Sequence, residues 1–177
     1  MSIANKDMVV IPPQKIGNGI RYIIENAQTK CIVISPYLEI LEWKEILDAI
    51  KNAVDRNVII ELYIRNRHNY FNKSVSMLID MGVNVFIVKN LHAKVYMNER
   101  NAIISSLNFV YYSYKHSHEL GVFIGNGNII ADIIKYNYTP LLRIAYCISY
   151  KINYCISISS IADYFPELFS DLEINQA

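Results

Sequence analysis

Residues 92–124 carry five polar side chains whose types and spacing suit chemistry on an anion: His92, Lys94, Ser106, Asn108 and Glu119. A neutral imidazole is a nucleophile or proton carrier near neutral pH. Ammonium, amide and hydroxyl donors stabilise negative charge that builds in a transition state. In a strand, alternate residues share a face about 6.5–7 Å apart, so His92 and Lys94 point the same way while Ala93 and Val95 turn to the other face. Ser106 and Asn108 share a face of the returning strand. Asn108 is predicted where that strand gives way to a helix, whose N-terminus offers free N–H groups to an anion. Glu119 opens the next strand and reaches the same point. Together these groups make an anion site with a nucleophile in it.

The elements that must position them follow from the hydrophobic pattern. Met8 to Ile11 reads as a short edge strand stopped by Pro12 and Pro13. A helix is predicted over 18–28, with Ile20, Ile23, Ile24 and Ala27 inward and its start blurred by Gly17 and Gly19. The run 31–35 is the apolar signature of a strand covered on both faces. Then come a helix at 41–56, a strand at 57–64, a polar loop, a helix at 71–81 ended by Gly82, and a strand at 83–88. This β–α–β–α–β order predicts parallel strands with helices on the sheet faces. Strands at 93–97 and 102–107, joined by the polar turn 98–101, predict an antiparallel hairpin added to the sheet. A short helix at 108–117, a strand at 119–124 and a helix at 129–137 with Asn128 as N-cap complete it. Helices are expected near 140–150 and 159–170. The expected fold is therefore α/β, a mixed, mostly parallel β-sheet flanked by helices on both faces, with a helical C-terminal tail. Residues 1–138 read as the catalytic domain and 139–177 as an extension packed on it or at an oligomer interface.

The 177 residues are enough to bury a core without staples. The composition, 53% hydrophobic and 19% charged, is that of a globular chain. A formal charge of +1 neither announces nor excludes a nucleic-acid partner, since a local basic rim suffices. Cys31, Cys147 and Cys155 are scattered and odd in number, against a disulfide framework or a zinc knuckle. No apolar signal segment opens the chain, and no run of about 18 uninterrupted apolar residues is present. The reading is a cytoplasmic, reduced protein without integral membrane association.

The spacing of the polar residues resembles the phospholipase D superfamily. That family's mark is H-x-K, four residues and an aspartate, then G-S-x-N and a downstream glutamate. Here stand His92-Ala-Lys94, four residues and Glu99, then Ser105-Ser106-Leu107-Asn108, then Glu119. The run Ile32 to Tyr37, I-x-I-S-P-Y, also matches, and the likeness covers residues 15–135. Glu99 replaces the usual Asp, a structural turn residue in the family, and Ser105 replaces the usual Gly. The resemblance implies an α-β-α sandwich and phosphodiester cleavage through a phosphohistidine, with no metal and no cofactor. In-line displacement needs an acid opposite the nucleophile. One histidine cannot occupy both sides, and the chain carries one motif, so the resemblance implies a homodimer with the site on its two-fold axis. By the same resemblance, Lys94 and Asn108 hold the non-bridging oxygens, Ser106 adds a hydroxyl donor, and Glu119 fixes the tautomer of His92. Short single-motif members, bacterial nucleases among them, make DNA or RNA the expected substrate. The alternatives are a phospholipid hydrolase or phosphatidyl transferase, and a non-catalytic nucleic-acid-binding module.

Arg65, Arg67 and His68 follow the second central strand, and Tyr37 follows the first. Ligands of open α/β sheets gather at the carboxyl ends of the parallel strands. The strand carrying His92 need not open at that end, so these residues read either as a substrate rim or as solvated loop. Tyr111, Tyr112 and Tyr114 read either as base-stacking rings or as core. His116 and His118 beside Glu119 invite a metal reading. It is set aside, because Glu119 already has a role and no further ligand is in sight.

Overall fold

The computed structural model describes residues 8–65, 73–138 and 146–147. Ten strands and five helices alternate in it: β1 (Met8–Ile11), α1 (Pro13–Glu25), β2 (Lys30–Ile34), β3 (Leu38–Glu39), α2 (Lys44–Asp55), β4 (Ile59–Arg65), α3 (Lys73–Asp80), β5 (Asn84–Val88), β6 (Val95–Asn98), β7 (Ala102–Ser105), β8 (Phe109–Val110), α4 (Tyr111–His116), β9 (Gly121–Ile124), α5 (Gly127–Ile133), which a π-helical turn Ile134–Tyr138 continues, and β10 (Tyr146–Cys147). Eight strands form one sheet in the order β1-β9-β7-β6-β2-β4-β5-β10. The sheet is mixed, as expected, but it is mostly antiparallel where mostly parallel pairing was expected. Parallel pairing is confined to β2–β4–β5, and every other junction is antiparallel.

Each face of the sheet has its own core. Val33, Leu62, Val85, Tyr96 and Ile103 meet α1, α2 and α3 on one side. Ile34, Tyr63, Phe86, Val95 and Met97 meet Ile130, Ile134 and Tyr138 of α5 and its π turn on the other. The crossovers β2–α2–β4 and β4–α3–β5 step the same way along the sheet, so the right-handed rule places α2 and α3 on one face.

Several boundaries moved for identifiable reasons. Helix α1 begins at Pro13, whose missing N–H is no loss in a first turn. Gly17 lies inside it as a packing device: a Cβ there would sit 2.3 Å from the Tyr114 ring. The α5 cap is Asn126 and not Asn128, since the Asn126 carboxamide oxygen accepts from the N–H groups of Asn128 (2.9 Å) and Ile129 (3.2 Å). Tyr146 and Cys147, expected in a helix, extend the sheet by pairing with Ile87 and Phe86. The rest of the two expected tail helices lies outside the described residues, as do Arg67 and His68.

Two charged groups lie where the pattern showed only strands. Lys30 and Glu61 are 4% and 1% exposed, with Nζ and Oε1 2.8 Å apart. The Tyr63 hydroxyl donates to Glu61 Oε2 at 2.9 Å, and the Tyr138 hydroxyl donates to the same oxygen. Lys30 Nζ also donates to the Tyr138 oxygen at 2.8 Å. A buried pair survives its desolvation cost only with such added hydrogen bonds. This one ties the π turn to the centre of the sheet.

Glu99 anchors the hairpin turn to the start of β2. Its carboxylate accepts from the Thr29 N–H (2.6 Å), the Thr29 hydroxyl (2.7 Å), the Gln28 N–H (3.3 Å) and the Lys30 N–H. Partial burial pushes its pKa up, but the bonds from the Thr29 hydroxyl and the Lys30 and Thr29 N–H groups outweigh this and hold it below the ordinary range. A depressed carboxylate contributes stability above its unfolded pKa and loses it as pH falls through the folded value. Glu99→Gln is therefore expected to cost about 1–2 kcal/mol at neutral pH, with the carboxylate half exposed. The difference from wild type should shrink as pH drops below the ordinary glutamate value; urea unfolding at stepped pH measures it.

Candidate active site

Strand register brings the polar residues to one end of the sheet. Ile34 pairs with Val95, Val95 with Ile104, and Ser105 with Gly121. The start of β6, the end of β7 and the start of β9 therefore lie beside the carboxyl end of β2. His92 and Lys94 stand just ahead of β6, Ser106 and Asn108 just beyond β7, and Glu119 just ahead of β9. Arg65 closes β4 at this same end, and its N–H donates to the Pro36 carbonyl at 3.3 Å. Tyr37, 36% exposed, follows Pro36 there. The His92 strand thus opens at the carboxyl end of the parallel strands.

His92 is exposed, and no side-chain hydrogen bond holds its imidazole among the described residues. Lys94 is half-buried and folds back, its Nζ donating to the His92 carbonyl at 2.9 Å. Glu119 was expected on His92. Here it accepts from the Ser106 hydroxyl, while the Leu120 N–H donates to that same Ser106 oxygen at 2.9 Å. Both hydrogen-bonding functions of Ser106 thus point at the Glu119–Leu120 segment. Ser105, in the usual glycine position, is tied to its neighbours. Its hydroxyl donates to the Leu120 carbonyl (2.8 Å) and accepts from the Leu107 N–H (2.9 Å).

The expectation that Asn108 opens a helix is corrected. Phe109 and Val110 form β8, which pairs in parallel with Leu38 and Glu39, and α4 begins only at Tyr111. The reason is packing: Phe109 is 1% exposed, its ring 5.9 Å from Trp43 and 5.8 Å from Tyr96. The anion-binding capacity beside Asn108 therefore rests on side chains rather than on a helix N-terminus. Asn108 Oδ1 is buried and has no hydrogen-bond partner among the described residues.

Two buried residues that the sequence reading gave no role hold Asn108 from below. The Ser35 hydroxyl, on a residue 0% exposed, accepts from the Phe109 N–H at 2.9 Å and donates to the Tyr37 carbonyl at 2.7 Å. The Tyr96 hydroxyl donates to the Leu107 carbonyl at 2.8 Å. Asn108 is thus clamped between two backbone bonds. Burial pushes the Tyr96 phenol pKa up, the Ser35 hydroxyl pulls it back, and the nearby Glu119 charge adds to the rise. The available signal was the polar Ser35 ending an otherwise apolar strand. Ser35→Ala leaves the Phe109 N–H buried and unpaired, at a cost of about 1–3 kcal/mol. Thermal unfolding should show that loss.

His116 lies against Tyr112, and His118 is exposed. Among the described residues no cluster of three or more His, Cys, Asp and Glu is placed to share a metal ion. Nor, among them, is any helix long and apolar enough to cross a membrane.

No curated protein matches the chain by sequence. Similar solved structures include Nuc, a phospholipase D family member from Salmonella typhimurium, at TM-score 0.64 and 15% identity, covering 80% of this chain and 95% of that one. NucT from Helicobacter pylori gives 0.66 and 17%, covering 81% and 97%. Phosphatidylserine synthase from Haemophilus influenzae Rd KW20 gives 0.63 and 13%, covering 94% of this chain but 44% of that one. At these identities the likeness is one of fold. The family model described as cardiolipin synthase, PLD-like domain matches residues 20–137, more than half of the 177. The chain belongs to this phospholipase D-like family.

Proposed function

We propose that the protein is a metal-independent phosphodiesterase, a nuclease that cleaves DNA or RNA, and that it works as a homodimer. His92 attacks phosphorus in line and forms a phosphohistidine. The partner's His92 protonates the leaving oxygen, and water then releases the phosphate. Lys94 and Asn108 hold the non-bridging oxygens as charge builds on them. Glu119 fixes the tautomer of the His92 imidazole through its far nitrogen, moving from the Ser106 bond to do so. Arg65 and Tyr37 lie on the substrate rim.

The observation that carries this reading is the strand register, which gathers one histidine, one lysine, one amide and one carboxylate at one sheet end. One histidine supplies one half of an in-line displacement. Coverage of the similar structures supports the nuclease reading. The chain covers nearly all of Nuc and NucT but less than half of the synthase. The synthase likeness and the family's description favour, as a second reading, turnover of a phospholipid phosphodiester.

A substrate panel tests the choice: plasmid, single-stranded DNA, RNA, phospholipid vesicles and bis(p-nitrophenyl) phosphate, each with and without EDTA. Nucleic-acid cleavage that persists in EDTA is expected. Cleavage abolished by EDTA overturns the metal-free mechanism, and phospholipid turnover alone puts the second reading first.

A further inference from the structure

Helix α4 presents two faces of opposite kind. Tyr111 and Tyr114, three residues apart, turn inward. The Tyr114 ring stacks on Trp43 with centroids 4.5 Å apart and planes 10° from parallel, and Tyr111 lies 6.1 Å from the same indole. Gly17 leaves room for Tyr114. Trp43 is 2% exposed, so the helix is fastened to the core through its aromatic face.

The other face carries Tyr112 and His116, with Lys115 between the two faces. Tyr112 is 67% exposed, on a helix already anchored by two other rings. His116 flanks it, centroids 4.5 Å apart. Lys115 holds its ammonium 5.4 and 5.0 Å from the Tyr111 and Tyr114 rings. The helix sequence YYSYKH contains no carboxylate, and the exposed His118 follows it. The result is an aromatic ledge with one fixed positive charge and two exposed histidines beside it.

The ledge is joined to the candidate site at both ends. Tyr112 comes four residues after Asn108, and His116 three before Glu119. At full extension that reach is no more than roughly 14 Å. The Tyr112 backbone therefore lies within that distance of Asn108 in the candidate site.

We infer that Tyr112, with His116 and Lys115, is a subsite for an unpaired nucleobase and its phosphate, and that it directs the enzyme toward single-stranded nucleic acid. The inference rests on the nuclease reading. A base lies on the exposed Tyr112 ring, and Lys115 pairs with the adjoining phosphate. Base–aromatic stacking is worth about 1–3 kcal/mol per base. In a duplex the base faces are already stacked and unavailable to the ring.

Wild type, Tyr112→Ala and Tyr112→Phe are compared on a single-stranded oligonucleotide and on bis(p-nitrophenyl) phosphate, which has no base. Oligonucleotide binding is also measured by fluorescence anisotropy in the His92→Asn background, where turnover is not needed. Tyr112→Ala is expected to lose ~10-fold or more in oligonucleotide affinity and to raise KM accordingly. Hydrolysis of the small diester should stay within about 2-fold of wild type, and Tyr112→Phe, which keeps the ring, should behave as wild type. Unchanged oligonucleotide affinity in Tyr112→Ala overturns the subsite, and so does an equal loss on both substrates. A wild type that hydrolyses the small diester and neither binds nor cleaves the oligonucleotide overturns the nuclease reading itself.

Discussion

Replacing His92 with Asn is expected to lower turnover by on the order of 10⁴-fold or more, with no loss of fold. Removing a nucleophile forfeits the covalent route entirely, and residual activity then comes only from binding and oxyanion stabilisation. Asn keeps the polarity and roughly the shape of the position. His92 is exposed and its imidazole bonds to nothing among the described residues, so the thermal midpoint should barely move. Single-turnover kinetics on a labelled phosphodiester, with acid-labile phosphoprotein trapped in wild type and absent from the variant, read the role directly. Cleavage that survives the substitution removes His92 from the chemistry.

Lys94→Met should have the second largest effect, a fall of about 10²–10³-fold in kcat. The ammonium matters most where charge develops on the non-bridging oxygens. Its loss should therefore appear in kcat more than in KM. Among the described residues the Lys94 ammonium bonds to the His92 carbonyl two residues away and to no other group, so methionine, which keeps the apolar stem, should fold normally. Lys94→Arg separates charge from geometry. Arginine restores the charge on a broader planar head and should recover part of kcat. A drop confined to KM would instead assign Lys94 to ground-state binding.

The gathering of the candidate site residues was legible in sequence because they flank the paired strands of a hairpin, where spacing along the chain translates into a shared place. His92, Lys94, Ser106 and Asn108 needed only the alternation of strands and one turn. The central strands were legible too, since runs such as residues 31–34 and 83–88 are apolar enough to be covered on both faces. What stayed hidden depends on distant partners. β8 exists because Phe109 and Val110 meet Leu38 and Glu39, far away in sequence, and no local pattern announces a two-residue strand. The role of Ser35 beneath Asn108 is equally non-local. Glu61, alone in an apolar strand, was a visible irregularity, but its partners Lys30 and Tyr138 come from two distant segments. Gly17 blurred the start of a helix because the ring it accommodates lies nearly a hundred residues on. Ser106, first read as a phosphate donor, uses its proton on the carboxylate.

The central claim is that one copy of this chain carries half of a catalytic site. The direct measurement uses wild type and His92→Asn chains co-expressed with two different affinity tags, and hybrid dimers isolated by sequential capture. A site on the two-fold axis requires the histidine of each protomer, so the hybrid should be at least ~10³-fold less active than the wild-type dimer. A hybrid with about half the wild-type activity would show that each chain is complete by itself. That result, or an active wild type that remains monomeric at micromolar concentration, contradicts the shared site.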